Sequence, residues 1–134
     1  MATTARNASR PMSPHLQIWK WGPHMLVSIL HRVTGSGMAT VGTLLLVWWL
    51  AALASGKQAY QTFTDVMGFY GLGYVLGIGL SLCFFIHLAN GIRHFFMDAG
   101  ALFELKANKT ASVAVVAFGI LATLAFWAFL LWGK

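Results

Sequence analysis

Apolar residues run along this chain in three long blocks instead of alternating with polar ones. Val33 to Gly56, Val66 to Ile92 and Thr110 to Gly133 contain no Asp, Glu, Lys or Arg, and each extends for about 23 residues or more. About 20 such residues cross the hydrocarbon of a bilayer, at a helical rise of about 1.5 Å each. Backbone in lipid must satisfy its own hydrogen bonds, so the blocks predict three transmembrane helices. The first is expected to begin near Pro23, because Met25 to Leu30 is apolar apart from Ser28 and proline suits a first helical turn. The second is expected to continue past Arg93 to Asp98, and the third to lie between Lys109 and Lys134. The expected spans are 24–55, 67–98 and 110–133, within one membrane-anchor domain covering 1–134.

Composition narrows the class. Hydrophobic residues make up 58% of the 134 positions and charged residues 9%, against about 25% charged in a soluble domain. Mean hydropathy is +0.71. These values exclude a disordered chain, a soluble globular enzyme and a disulfide scaffold, and leave an all-α integral membrane protein. Cys83 is the single cysteine and lies inside an apolar run, where an inert buried thiol is expected.

The formal charge of +6 comes from nine Lys and Arg against three Asp and Glu. A basic chain can bind nucleic acid, but here the charges are few and flank the apolar blocks, so the expected partner is the lipid bilayer and no nucleic acid. With a cytoplasmic N-terminus, the inner side holds Arg6, Arg10, Lys20, Arg32, Arg93, Lys106 and Lys109, and the outer side only Lys57 and Lys134. That bias satisfies the positive-inside rule. Trp19, Trp21 and Trp132 fall where interfacial aromatic belts occur. The polar first 14 residues and the long first apolar run do not form a cleavable secretory signal. A bacterial inner membrane is expected in preference to a mitochondrial one.

Ionisable residues inside a membrane span are costly and therefore informative. His87 lies eleven residues before Asp98, about 16 Å deep. Such a histidine can hydrogen-bond a neighbouring helix, and a neutral imidazole can also ligate haem iron. Gly91 is four residues on and shares its face, which would let a flat macrocycle approach, or simply let helices pack closely. His94 lies two turns from His87, with Arg93 beside it. Cations at that end suit propionate carboxylates or snorkel to the interface. Ser28, His31 and Arg32 form a second constellation near the same membrane face. A hydroxyl and a guanidinium there meet the needs of a quinone, whose carbonyl oxygens require donors and whose reduction requires protons. His31 is shallower than His87 by a turn or so, and His15, His24 and His94 are shallower still or outside. A two-histidine haem would thus take its second ligand from another chain and sit at a subunit interface.

Two longer patterns carry a resemblance. Arg10-Pro11, Leu16, Ser28, His31-Arg32 and Thr34 resemble the opening signature of the succinate dehydrogenase cytochrome b subunit family. His87-Leu88-Ala89-Asn90-Gly91-Ile92-Arg93-His94, continuing through Asp98 to Gly100, resembles its second signature, in the expected order. The resemblance implies the larger membrane anchor of succinate:quinone oxidoreductase, respiratory complex II, linking the tricarboxylic acid cycle to electron transport. It implies a flavoprotein carrying FAD, an iron–sulfur protein carrying the clusters, and a second small membrane subunit that supplies the other axial histidine, so that this chain is half of a heterodimeric haem-binding helical bundle. It implies haem b on His87, with His31 and Arg32 close to the propionates and Ser28 and Arg32 at the ubiquinone site. Arg93 and His94 are further propionate or interface candidates, Gly91 a packing candidate, and Asp98 a signature residue without an assigned role. A fumarate reductase anchor and a haem-free structural anchor are the competing readings. A transporter is disfavoured, because three helices show no repeat or substrate path.

Overall fold

The computed structural model describes residues 21–133, and within them every regular element is helical. Arg6, Arg10, Leu16, Trp19, Lys20, His15 and Lys134, used above for orientation and motif matching, lie outside the described residues. Helix α1 (Pro23–Gly37) passes through a π-helical turn at Met38–Gly42 into α2 (Thr43–Ala54). Together they form a 32-residue rod, about 48 Å long. After Gly56, α3 (Lys57–Gly68) and a 3₁₀ turn (Phe69–Gly71) precede α4 (Leu72–Asp98), and α5 (Leu105–Trp132) completes the chain. The three rods containing α1, α4 and α5 are long and apolar enough to cross a membrane.

Two boundaries depart from the sequence expectation. The second crossing does not begin at residue 67. Tyr70 adopts φ 47, ψ 25 and Gly71 is left-handed, so the chain breaks between α3 and α4 and the crossing element starts at Leu72. Helix α3 is polar on one side and apolar on the other, packs on α2 and α4, and joins α2 through an edge-on contact of Phe63 with Trp48. The third helix starts at Leu105, five residues before the expected 110, with Glu104 as its extended N-cap residue. Lys106 and Lys109 therefore belong to its first turns. Long basic side chains at a helix end can extend their charge to the interface, so charge did not terminate the helix.

The centre of the molecule is where α1, α4 and α5 meet. Val27, Ile86 and Val115 form its buried core, with Leu30, Leu82, Ala89 and Val116 packed around them. Gly119 brings the α5 backbone close to α4: a Cβ there would collide with the Ile86 side chain and lie 3.1 Å from the Ile86 backbone nitrogen. Gly73 and Gly77 form a Gly-x-x-x-Gly pair in α4, a spacing that often marks close helix packing; Gly77 makes room for a ring instead, since a Cβ would stand 2.9 Å from Trp127. The Trp127 indole Nε1 then donates to Ser81 Oγ at 2.9 Å. Gly73 is crowded by the Met67 carbonyl at the α3–α4 break.

The buried set is unusual for a soluble fold. Thr34, Asn90, Arg93, Ser112 and Thr123 are buried, while large apolar side chains cover the outside. Lipid is as apolar as a protein core, so small and polar residues concentrate at helix contacts in membranes. The three hydroxyls donate to carbonyls one turn back, Thr34 to Leu30, Ser112 to Asn108 and Thr123 to Gly119, each at 2.7 Å.

Candidate functional site

Helices α1 and α4 bring His31, Thr34 and Gly35 against His87, more than fifty residues away in sequence. The His87 Nδ1 lies 3.1 Å from the His31 backbone carbonyl and 3.2 Å from Thr34 Oγ1. A carbonyl oxygen can only accept, so this contact fixes the proton on Nδ1. The Thr34 hydroxyl hydrogen goes to the Leu30 or His31 carbonyl, at 2.7 and 3.2 Å, which leaves its oxygen free to accept a share of the same Nδ1–H. The consequence is a defined tautomer whose Nε2 bears the lone pair. Gly35 provides the space: a Cβ at that position would meet His87 Cε1 at 2.8 Å.

The imidazole of His31 stacks on that of His87, with ring centroids 3.8 Å apart and planes 11° from parallel. His94 approaches the other side of His31, at 5.3 Å and 52°. The three rings thus form a file from the exposed His94 at the membrane end to the deeper His87. The His31 Nδ1 is buried and has no hydrogen-bond partner among the described residues. Gly91 faces open space, with nothing within 4 Å of a Cβ added there. Its bare flank lies one turn from His87 on the same face. Cys83, one turn on the other side, is a half-buried free thiol.

Ser28 and Arg32 are one turn apart on α1, beside His31. Arg32 is exposed, and its Nη2 donates to Ser28 Oγ at 3.4 Å. Since Ser28 acts there as acceptor, its own hydroxyl hydrogen is uncommitted among the described residues.

Arg93 goes elsewhere. It is 7% exposed and turns towards α5, donating from Nη1 to Asn90 Oδ1 at 3.3 Å and from Nη2 to Asn108 Oδ1 at 2.8 Å. Asn108 in turn donates to the Leu102 carbonyl. The structure therefore groups His31, His87 and His94 with Ser28 and Arg32 alongside, and separates Arg93 from them. Sequence reasoning missed Asn90 and Asn108 as its partners and gave Thr34 only a motif position. A buried cation in a membrane span demands acceptors, and Asn90, three residues before Arg93, was the available signal. A hollow of about 600 Å³ lies apart from the histidines, between Trp21, Pro23 and Leu26 on one side and Val113, Val116 and Ile120 on the other.

Comparison with known proteins places these features in context. Residues 6–126 match the family described as succinate dehydrogenase/fumarate reductase transmembrane subunit. The chain is 36% identical to the succinate dehydrogenase cytochrome b556 subunit of Rickettsia felis over 118 residues, covering 88% of this chain and 90% of that protein. It is 31% identical to the protein of the same name from Paracoccus denitrificans over 125 residues, covering 90% and 95%. It is 33% identical to the mitochondrial succinate dehydrogenase cytochrome b560 subunit of Mus musculus over 123 residues, covering 87% and 69%.

Proposed function

Because this chain belongs to the succinate dehydrogenase/fumarate reductase transmembrane subunit family, we propose that it holds haem b through His87 and builds part of a ubiquinone-reducing site with Ser28 and Arg32. It is the membrane cytochrome b subunit of succinate dehydrogenase, a multi-pass protein of the bacterial inner membrane, and one part of an enzyme whose flavoprotein and iron–sulfur subunits oxidise succinate. The observation that carries the haem assignment is the His87 tautomer. Metal-ligating histidines characteristically donate their second ring N–H to a carbonyl or carboxylate, which orients the ring and raises its basicity. His87 does this with the His31 carbonyl, and the donor set fits. When bound, the haem supplies a one-electron redox centre.

The remaining roles follow from position. A second small membrane subunit would supply the other haem-ligating histidine, since this chain has one deep histidine and an open face beside it. His31 and Arg32 lie at the membrane end of the same face, with His94 next to His31, and these cationic or donor side chains suit propionate carboxylates. Arg93 belongs to the α4–α5 contact and positions α4 from behind. At the quinone, Arg32 stabilises negative charge developing on a carbonyl oxygen, and Ser28 donates its free hydroxyl hydrogen to orient the ring. The exposed guanidinium lies at the end assigned to the cytoplasm, from which the two protons of quinone reduction are drawn.

The test is the dithionite-reduced minus oxidised visible spectrum of the complex purified through a tag on this chain. A b-type signal present in the native complex and lost or altered in His87→Leu is expected. An unchanged spectrum in that variant refutes the ligand assignment.

A further inference from the structure

Two hollows adjoin on the outer surface of α4 and α5, at the end where α4 finishes and α5 begins. One, about 330 Å³, is a furrow between apolar side chains such as Ile92, Phe96, Ala114 and Phe118, with Arg93 in its lining. The other, about 460 Å³, is lined by Glu104, Lys106 and Thr110. Leu102 and Ala111 line both, so the two lie side by side. The wall between them is held in place. Leu102 adopts φ 63, a left-handed conformation rare for a branched side chain, and Asn108 Nδ2 donates to its carbonyl at 3.0 Å.

Glu104, Lys106 and Thr110 keep their side-chain polar groups free among the described residues, and Arg93, though bound through Nη1 and Nη2 to Asn90 and Asn108, keeps its charge uncompensated. Glu104 and Lys106 form no ion pair with each other or with any other described residue, and Thr110 forms no side-chain hydrogen bond among them. Arg93 is more than nine-tenths buried, has no carboxylate partner among the described residues, and its Nε lacks a hydrogen-bond partner. An apolar furrow leading to one cation, one anion and one hydroxyl at the end of a membrane-crossing pair has the order of a phospholipid: acyl chain, phosphate, then headgroup. Basic pockets between membrane helices at this depth are recognised lipid headgroup sites. The carboxylate of Glu104 disfavours a purely anionic headgroup and complements an ammonium.

We propose that this hollow binds one phosphatidylethanolamine-type phospholipid, with an acyl chain along the furrow, the phosphate on Lys106 and Thr110, and the ammonium on Glu104. The positive charge of Arg93 at the furrow wall draws the phosphate towards the helices. The site is on the side of α4 opposite to the histidine file and does not involve it.

The protein, extracted with its native partners, is delipidated in detergent and offered phosphatidylethanolamine, phosphatidylglycerol or phosphatidylcholine, and retained lipid is counted by native mass spectrometry. Phosphatidylethanolamine is expected to be held about tenfold more tightly than the other two. Retention should be lost in Lys106→Ala and Glu104→Gln, and also in Ala114→Trp, which fills the furrow without removing a charge. Lys109→Ala, whose side chain does not line the hollow, should retain it. Equal retention of the three lipids, or retention unchanged in the three variants, would mean ordinary boundary lipid and overturn the proposal. So would a photocrosslinker at position 106 that captures a partner polypeptide instead of lipid.

Discussion

Gly35 backs directly onto the ring of His87, so that a methyl group added to it would stand 2.8 Å from Cε1 and 3.4 Å from Nδ1. Nδ1 is held by the His31 carbonyl, one turn before Gly35 on the same helix, so the ring cannot retreat from an added methyl and keep that bond. Gly35→Ala is therefore expected to leave the complex assembled but to change the haem optical bands and their redox titration, because the ring must give up its hydrogen bond or its orientation. Wild-type spectra and potential in this variant would show that Gly35 does not set the ligand geometry.

Ser28 and Arg32 make a different prediction, one about substrate. Losing a donor that meets developing charge costs roughly 10²-fold in rate, and losing a neutral hydrogen bond costs about tenfold. Arg32→Leu should slow ubiquinone reduction by the larger factor and Ser28→Ala by the smaller. Succinate oxidation measured with an artificial dye should be unaffected in both. Quinone kinetics equal to wild type in both variants would remove this pair from the site.

Asn108 tests the placement of Arg93. Replacing it with Ala deprives Nη2 of its 2.8 Å acceptor and leaves a buried guanidinium less satisfied, at a cost of about 1–3 kcal/mol. The expected outcome is a lower melting temperature of the purified complex with an unaltered haem spectrum. A changed spectrum at normal stability would instead put Arg93 at the haem.

Gly119 is the tightest point between α4 and α5. A side chain there meets the Ile86 backbone as well as its side chain, and backbone cannot move aside cheaply. Gly119→Ala should destabilise the helix pair by roughly 1–3 kcal/mol, the range for overpacking a close contact. Thermal melts or the yield of assembled complex would register it, and a neutral result would mean that α5 can slide away from α4 without loss.

Much of this architecture was legible because the bilayer imposes it. Runs of uncharged apolar residues have one stable outcome in lipid, and the reading of His87 and Asp98 on one continuous helix matches α4. The misplaced boundaries have a common cause. Hydropathy measures transfer into lipid, whereas helix continuity depends on backbone dihedrals, so Lys106 and Lys109 hid the true start of α5 and a left-handed Tyr70 hid a break. At the site, Ser28, His31, Arg32, His87 and His94 were nominated from spacing along single helices, and the structure gathers them at one end. The pairs that define the chemistry, Gly35 with His87 and Arg93 with Asn108, join different helices. A helical period relates residues three or four apart and carries no information about a neighbour fifteen or fifty positions away.

The π-helical turn at Met38–Gly42 works as an indexing joint. It accommodates one more residue than an α-helical turn would, so the half of the rod before it and the half after it are set at different rotations about one axis. Helix α1 packs on α4 and α5, whereas α2 packs on α3 and leaves α4. Deleting a single residue from this turn would restore an unbroken α-helix and swing everything beyond it by about 100°. The histidine end would keep its grip while the opposite end lost its docking angle. The turn makes the two ends of the first crossing separately adjustable, so sequence change near α3 need not disturb the groups around His31.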